Sequence, residues 1–208
     1  MKKVSIIDFE GGNLFSVIQA CKYVGIETKL TDNSSEILKC DGLILPGVGS
    51  FPYAMKVLKQ KKLIDPIKEF IKTGKPFMGI CLGFQLLFSK SEEFVDCKGL
   101  NLIEGSVRKF NFDDKSKKVP QIGWNKIYSK KNWSKSPLSN VKNNEFMYFV
   151  HSFYAQPKNE MDILSYTNYE SFEYCSSILK DNIFGTQFHP EKSSKVGIEV
   201  YKEWSKLL

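Results

Sequence analysis

The amino-acid sequence predicts an α/β protein: an open, largely parallel central sheet flanked by helices, with an antiparallel extension. Three observations point to it. Over residues 4–80, short apolar runs alternate with segments of helical period, the strand and helix order that a parallel sheet needs. Beyond residue 105 the pattern changes to alternating apolar and polar positions, as in half-buried antiparallel strands. Between the two lies Gly79-Ile80-Cys81-Leu82-Gly83, which puts a reactive side chain at the carboxyl end of a strand, where open α/β sheets carry their sites.

Residues 4–8 form the first buried strand, and Gly11-Gly12-Asn13 is a tight turn ending in a helix cap. Leu14, Val17, Ile18 and Cys21 follow at i, i+3, i+4 and i+7, and Gly25 stops that helix. Glycines after a first strand invite a dinucleotide site, but Gly-x-Gly-x-x-Gly is absent and Glu10 stands where a phosphate would approach. Leu43-Ile44-Leu45 is a short strand leading into Pro46-Gly47-Val48-Gly49. Helical material spans residues 53–58, and Ile64, Ile67, Phe70 and Ile71 form the apolar face of another helix closed by Gly74. Residues 76–80 are the strand before the cysteine, and the apolar stretch to Phe88 is expected to be a helix.

In the second half, Val107, Phe110 and Phe112, then Ile122, Trp124 and Ile127, alternate around a lysine-rich turn and suggest antiparallel strands. Residues 130–144, rich in Ser, Asn, Pro and Lys, are expected to be an exposed loop. Residues 146–150 form a buried strand ending in His151-Ser152-Phe153, and residues 163–167, 177–179 and 183–188 complete the sheet. The last helix places Val196, Val200, Trp204 and Leu207 on one face.

A chain of 208 residues suits a single domain, 1–208, with a core that needs no metal or disulfide to hold it. The five cysteines are odd in number and include no Cys-x-x-Cys pair, so a disulfide framework and a zinc site are both disfavoured. Lys2 and Lys3 precede an apolar stretch broken by Ser5 and Asp8, shorter than a secretory signal, and no run approaches membrane-spanning length. A cytoplasmic protein is the expectation. The net charge of +7 raises nucleic acid as a partner, but the lysines lie in scattered short runs such as Lys61-Lys62, Lys115 with Lys117-Lys118, and Lys130-Lys131. A solvated surface, or a patch facing an acidic partner or a phosphorylated ligand, fits them better.

Chemistry concentrates at two places. Glycines two residues before and after Cys81 permit a strained strand-to-helix turn that lifts the thiol out of the sheet. The helix start beyond it offers backbone N–H groups that favour thiolate and can hold an oxyanion. Alone, the elbow also fits a buried structural cysteine. The second place is Gln187-Phe188-His189-Pro190-Glu191. A nucleophilic cysteine needs a base and a group to orient it. In an extended segment His189 and Glu191 share a face, which suits those roles, whereas the chain's other histidine, His151, has no carboxylate two residues away. Gly47-Val48-Gly49 can flip its peptide planes cheaply, as a switchable oxyanion hole requires; an ordinary Pro-Gly turn is the alternative.

These motifs, with Gln85, resemble those of the class I (triad) glutamine amidotransferases. Pro46-Gly47-Val48-Gly49, Val119-Pro120-Gln121-Ile122-Gly123-Trp124-Asn125, Tyr148-Phe149-Val150-His151-Ser152-Phe153 and Pro190-Glu191-Lys192-Ser193 narrow the resemblance to the glutaminase subunits of imidazole glycerol phosphate synthases. The resemblance covers essentially the whole chain and implies a flavodoxin-like fold. It implies a catalytic triad of Cys81, His189 and Glu191, oxyanion donors at Val48 and Leu82, and glutamine held by Gly49, Gln85, Ser152 and Phe153, with no cofactor and no metal. It further implies a heterodimer with a (β/α)₈ cyclase that receives ammonia, contacted through Asn13, Trp124, Lys192 and Ser193. The chain departs from the family at Asp8-Phe9-Glu10 and Phe15, where a tyrosine-rich opening and an arginine are usual, and at Gln121, where histidine is common. A paralogue feeding another acceptor, such as a surface sugar, a hydrolase of another amide and a non-catalytic binding subunit are the other readings.

Overall fold

The first half of the chain builds β1 (Lys3–Ile7), α1 (Leu14–Tyr23), β2 (Glu27–Thr31), α2 (Ser34–Lys39), β3 (Gly42–Leu45), α3 (Phe51–Gln60), α4 (Ile64–Lys72), β4 (Phe77–Ile80) and α5 (Leu82–Gln85). The second half builds β5 (Phe88–Ser91), β6 (Cys97–Lys98), β7 (Ile103–Lys109), β8 (Gln121–Ile127), β9 (Glu145–His151), β10 (Phe153–Pro157), β11 (Ile163–Tyr169), β12 (Phe172–Lys180), β13 (Ile183–Thr186) and α6 (Ser194–Ser205). This computed structural model describes residues 2–10, 12–94, 96–114 and 116–208. Gly11 of the expected opening turn and Lys115 of the lysine run lie outside the described residues.

Among the described residues, eleven strands form one sheet in the order β2-β1-β3-β4-β13-β12-β10-β7-β5-β6, with β11 paired to β12. The strands from β2 to β13 run parallel, as expected for the first half, and β13, β12, β10 and β7 continue it antiparallel. Central strands covered on both faces are largely apolar, and β3, β4 and β13 are buried at every position, with Thr186 donating its hydroxyl to the Phe188 carbonyl. Period-two alternation sends Leu43, Leu45 and Phe77 into one apolar layer with Phe51, Phe70 and Phe84. It sends Ile44, Met78 and Ile80 into the other, with Phe149, Phe184, Phe188 and Trp204. Each of these buried aromatics contributes about 1.5–3 kcal/mol relative to its exposed state.

The structure differs from expectation at five places. The apolar stretch after Cys81 is helical for one turn only; Leu86, Leu87 and Phe88 leave it, and their carbonyls accept the amides of residues 100–103. All three side chains are fully buried, so burial on every side, and not helical period, is what that run encoded. The strands on either side of the lysine-rich turn do not pair: β7 lies between β10 and β5, while β8 forms a separate two-stranded antiparallel sheet with β9. Residues 130–144 are not a free loop, because Trp133, Leu138 and Val141 are buried and the Trp133 indole donates to the Leu164 carbonyl at 2.7 Å. Leu207 is half exposed past the end of α6. Finally, the edge strand β2 and helix α2 were absent from the sequence reading; Glu27-Thr28-Lys29-Leu30-Thr31 carries no apolar run because an edge strand needs none.

Candidate active site

The cysteine elbow sits where β4 runs out between β3 and β13. Cys81 has φ 54° and ψ −108°, a backbone state that costs on the order of 1–3 kcal/mol for a residue with a side chain. Its amide donates to the Thr186 carbonyl at 2.7 Å and its carbonyl accepts the Gln85 amide at 3.1 Å, which hold it there. Gly83 is required by close approach: a Cβ would lie 1.8 Å from the Leu45 carbonyl oxygen. With a helix of one turn, the field at the sulfur comes from local N–H groups and not from a long macrodipole.

The base arrives from the other side. His189 follows β13 in extended conformation, but Glu191 belongs to a 3₁₀ turn over Pro190–Lys192, so the pair meets across a tight turn and not along a strand. The expected contact forms all the same: His189 Nδ1 lies 2.7 Å from Glu191 Oε1, with both side chains almost wholly buried. The His189 amide donates to the Tyr148 carbonyl, and the Ser193 hydroxyl donates to the His189 carbonyl at 2.6 Å while accepting the Tyr148 amide. Gly197 of α6 lets this loop close, since a Cβ there would meet the Pro190 oxygen at 1.9 Å. Nε2 of His189 is buried and, among the described residues, has no protein partner, which leaves it for the sulfur. Burial works against a protonated His189, but the Cys81 sulfur and then the Glu191 carboxylate, through charge and hydrogen bonding, outweigh it and lift the imidazole to about 10. Its contribution to stability is therefore complete below the ordinary value of 6.5 and is lost as pH rises through about 10.

A cleft of about 330 Å³ opens beside the sulfur, lined by Val48, Gly49, Leu82 and Gln85 on the elbow side and by Val150, His151, Ser152 and Phe153 opposite. Every residue expected to grip a substrate or an oxyanion thus borders one cavity. The two oxyanion donors do not converge, however. The Leu82 amide donates to the Gly47 carbonyl at 3.3 Å. Because that carbonyl and the Val48 N–H belong to one planar peptide and point opposite ways, the Val48 donor faces away. Half a turn of this single peptide, taken up by ψ of Gly47 and φ of Val48, would free Leu82 and bring Val48 inward.

Glu93 also lines the cleft and was missed in the sequence. It is buried, accepts the Phe51 amide at 2.6 Å, and burial raises its pKa more than that N–H lowers it. Ser91-Glu92-Glu93 looks like any solvated charged turn, so no sequence signal marked it. His151 borders the cleft but is held for structure: Nδ1 lies 2.8 Å from the Phe153 carbonyl and Nε2 3.2 Å from the Tyr174 hydroxyl, which donates to Gln121. Burial, seconded by the positive charge of His189, pushes it down to about 3 against the pull of the Phe153 carbonyl.

Of the positions expected at a partner surface, Trp124 is half exposed beside Ile122 and Phe146, its ring 6.1 Å from Tyr148, and the Lys192 ammonium lies 5.9 Å over the same tyrosine. Trp124 is therefore no core residue. Asn13 is exposed, and its side-chain oxygen caps α1 by accepting the Ser16 amide at 3.4 Å. Ser193, also expected at that surface, is fully buried as the clamp on the His189 loop. Among the described residues no three His, Cys, Asp or Glu side chains gather as metal ligands, and no helix is long and apolar enough to cross a membrane.

Comparison with known proteins places these features in context. Residues 5–204 match the family model described as glutamine amidotransferase class-I. A Bacillus mycoides (strain KBAB4) protein named imidazole glycerol phosphate synthase subunit HisH is 46% identical over 201 residues, covering 97% of this chain and 93% of its own. A Legionella pneumophila (strain Lens) protein named imidazole glycerol phosphate synthase subunit HisH 1 is 43% identical over 211 residues, 98% of this chain and 99% of its own. The structure of PurLQS from Thermotoga maritima superposes with a TM-score of 0.73 at 20% identity, over 99% of this chain and 98% of that one, a likeness of fold.

Two predictions follow from the packing and charge of the site. Gly83→Ala forces Cβ into the Leu45 carbonyl and is expected to destabilise the fold by about 3 kcal/mol. A thermal melt within a degree or two of wild type would contradict that. His151 stays neutral when folded down to about pH 3 but protonates near 6.5 when unfolded, so the unfolded state binds more protons and stability falls as pH drops through that window. In His151→Gln the melting temperature should decline less between pH 6.5 and 4; an identical decline would refute the assignment.

Proposed function

Because this chain belongs to the class-I glutamine amidotransferase family, we propose that it is the glutaminase subunit of an imidazole glycerol phosphate synthase, hydrolysing L-glutamine to glutamate and ammonia. The observation that carries the chemistry is the strained Cys81 elbow beside a buried His189 whose far nitrogen is anchored 2.7 Å from Glu191. Cys81 thiolate attacks the side-chain amide carbon of glutamine. The oxyanion is met by the Leu82 amide and, once the Gly47–Val48 peptide turns, by the Val48 amide. His189 gives its proton to the departing ammonia, leaving a γ-glutamyl thioester. Water then attacks the thioester with His189 as base and releases glutamate, while Glu191 keeps the imidazole oriented and steadies its protonated form. Gly49, Gln85, Ser152 and Phe153 hold the amino-acid end of the substrate, and the Glu93 carboxylate, already in the cleft wall, suits its ammonium group.

Ammonia in neutral water is mostly protonated and no longer a nucleophile, so it must pass to its acceptor along an enclosed path. On this reading residues 1–208 form one glutaminase domain and the acceptor site lies on a partner. The names of the relatives support a cyclase subunit, here a (β/α)₈ barrel paired as a heterodimer in the cytoplasm, and a role in histidine biosynthesis. The acceptor is the formylamino-ribulosyl aminoimidazole carboxamide nucleotide. The products are imidazole glycerol phosphate and an aminoimidazole carboxamide nucleotide. The exposed Trp124, Ile122 and Phe146 patch with Lys192 is the surface for that partner.

The test is glutamate release by the purified chain, alone and with the histidine-pathway cyclase and its nucleotide substrate. Strong stimulation with imidazole product is expected; no stimulation would move the acceptor to another pathway. Cys81→Ala should abolish release and Glu191→Gln should lower it by about 10²-fold. Glu93→Gln should raise the KM for glutamine about tenfold with kcat little changed. Equal loss in kcat and kcat/KM would instead assign Glu93 to the transition state.

A further inference from the structure

Gln187 is fully buried two residues before the base, with its amide N–H on the Ser176 carbonyl at 2.9 Å. Its side-chain Nε2 lies 3.8 Å from the Cys81 sulfur, and its Oε1 accepts from Gln85 Nε2 at 2.9 Å. Gln85 Nε2 also donates to the Phe153 carbonyl at 2.9 Å, so both of its hydrogens are committed to acceptors and its amide cannot turn over. Gln187 is locked in turn: reversed, its NH₂ would face the NH₂ of Gln85 and its oxygen would face the sulfur. The network therefore fixes an N–H donor at the thiol from a direction other than that of His189.

We propose that Gln187 is a further functional residue of the glutaminase site, its N–H donor holding the Cys81 sulfur as thiolate and aiming it, with Gln85 as the residue that orients Gln187. An N–H aimed at sulfur stabilises the anion over the thiol, because a thiol is a weak acceptor and a thiolate a strong one. The other ionisable groups facing this space are His189, with Glu191 behind it, and Glu93 and His151 in the cleft wall. Gln187 adds a donor that carries no proton to be titrated. The turnover arm of the test rests on the glutaminase reading; the thiolate arm does not.

The experiment is the pH profile of Cys81 alkylation by iodoacetamide, followed by peptide mapping, in wild type, Q187L and the near-isosteric Q187E, with thermal melts to establish that each variant is folded. Loss of the donor should move the inflection to higher pH and slow alkylation about tenfold at neutral pH in Q187L, and further in Q187E, whose carboxylate repels the thiolate. The kcat for glutamine should fall in parallel with KM little changed. An unchanged profile in either folded variant overturns the proposal. Shifted profiles in a protein that releases no glutamate would uphold the role of Gln187 and overturn the glutaminase reading instead.

Discussion

The backbone of Cys81 is the constraint on which the site depends. A residue with a side chain is held at φ 54°, and the parts that hold it are the parts that make the site. Thr186 on β13 accepts the Cys81 amide, and the same strand leads on to Gln187 and His189. Leu45 on β3 lies against Gly83, and the same strand leads on to the Gly47–Val48 peptide. The segments that carry Cys81, His189 and the Gly47–Val48 peptide are therefore extensions of three neighbouring parallel strands, β4, β13 and β3, and their separation is set by the spacing of strands in a sheet. Strain at the elbow is borne by the two apolar layers packed on those strands.

Charge and water are arranged around that geometry in complementary ways. His189 is buried against the Cys81 sulfur and the Glu191 carboxylate, and despite the cost of burial these two hold its proton well above the ordinary histidine range. His151, equally buried but given only neutral partners, is kept uncharged. The chain's two histidines are thus set in opposite senses, one made to carry a proton and the other to refuse it, and the difference lies in the sulfur and carboxylate beside the first. The Leu82 donor, meanwhile, is occupied by the Gly47 carbonyl. On the function proposed above, Cys81 therefore stands beside an oxyanion hole that is not yet assembled.

Much of this was legible in the residues. The β3 and β4 strands announced themselves because strands buried on both faces are short apolar runs, and Cys81 stood out because glycines flank it where Cβ atoms would clash. His189 and Glu191 are legible as a pair even though a 3₁₀ turn and not an extended segment joins them, since proximity in sequence keeps them close in space. What the sequence hid was of two kinds. Elements at edges, such as β2, carry no apolar signature, and the all-buried Leu86-Leu87-Phe88 run has no period to distinguish strand from helix. Contacts between residues distant in sequence are the other kind: nothing local marks Glu93 on the Phe51 amide, and the motifs that contain Gln187 and Ser193 do not reveal their partners Gln85 and Tyr148.

The account stands or falls on whether Cys81 carries the acyl group. The direct measurement is acid quench of the protein during glutamine turnover, followed by mass spectrometry of its peptides. The structure predicts a γ-glutamyl adduct, glutamine less ammonia, on the peptide bearing Cys81 and on no other cysteine. Glutamate released steadily with no such adduct, or with the adduct on another residue, would contradict it.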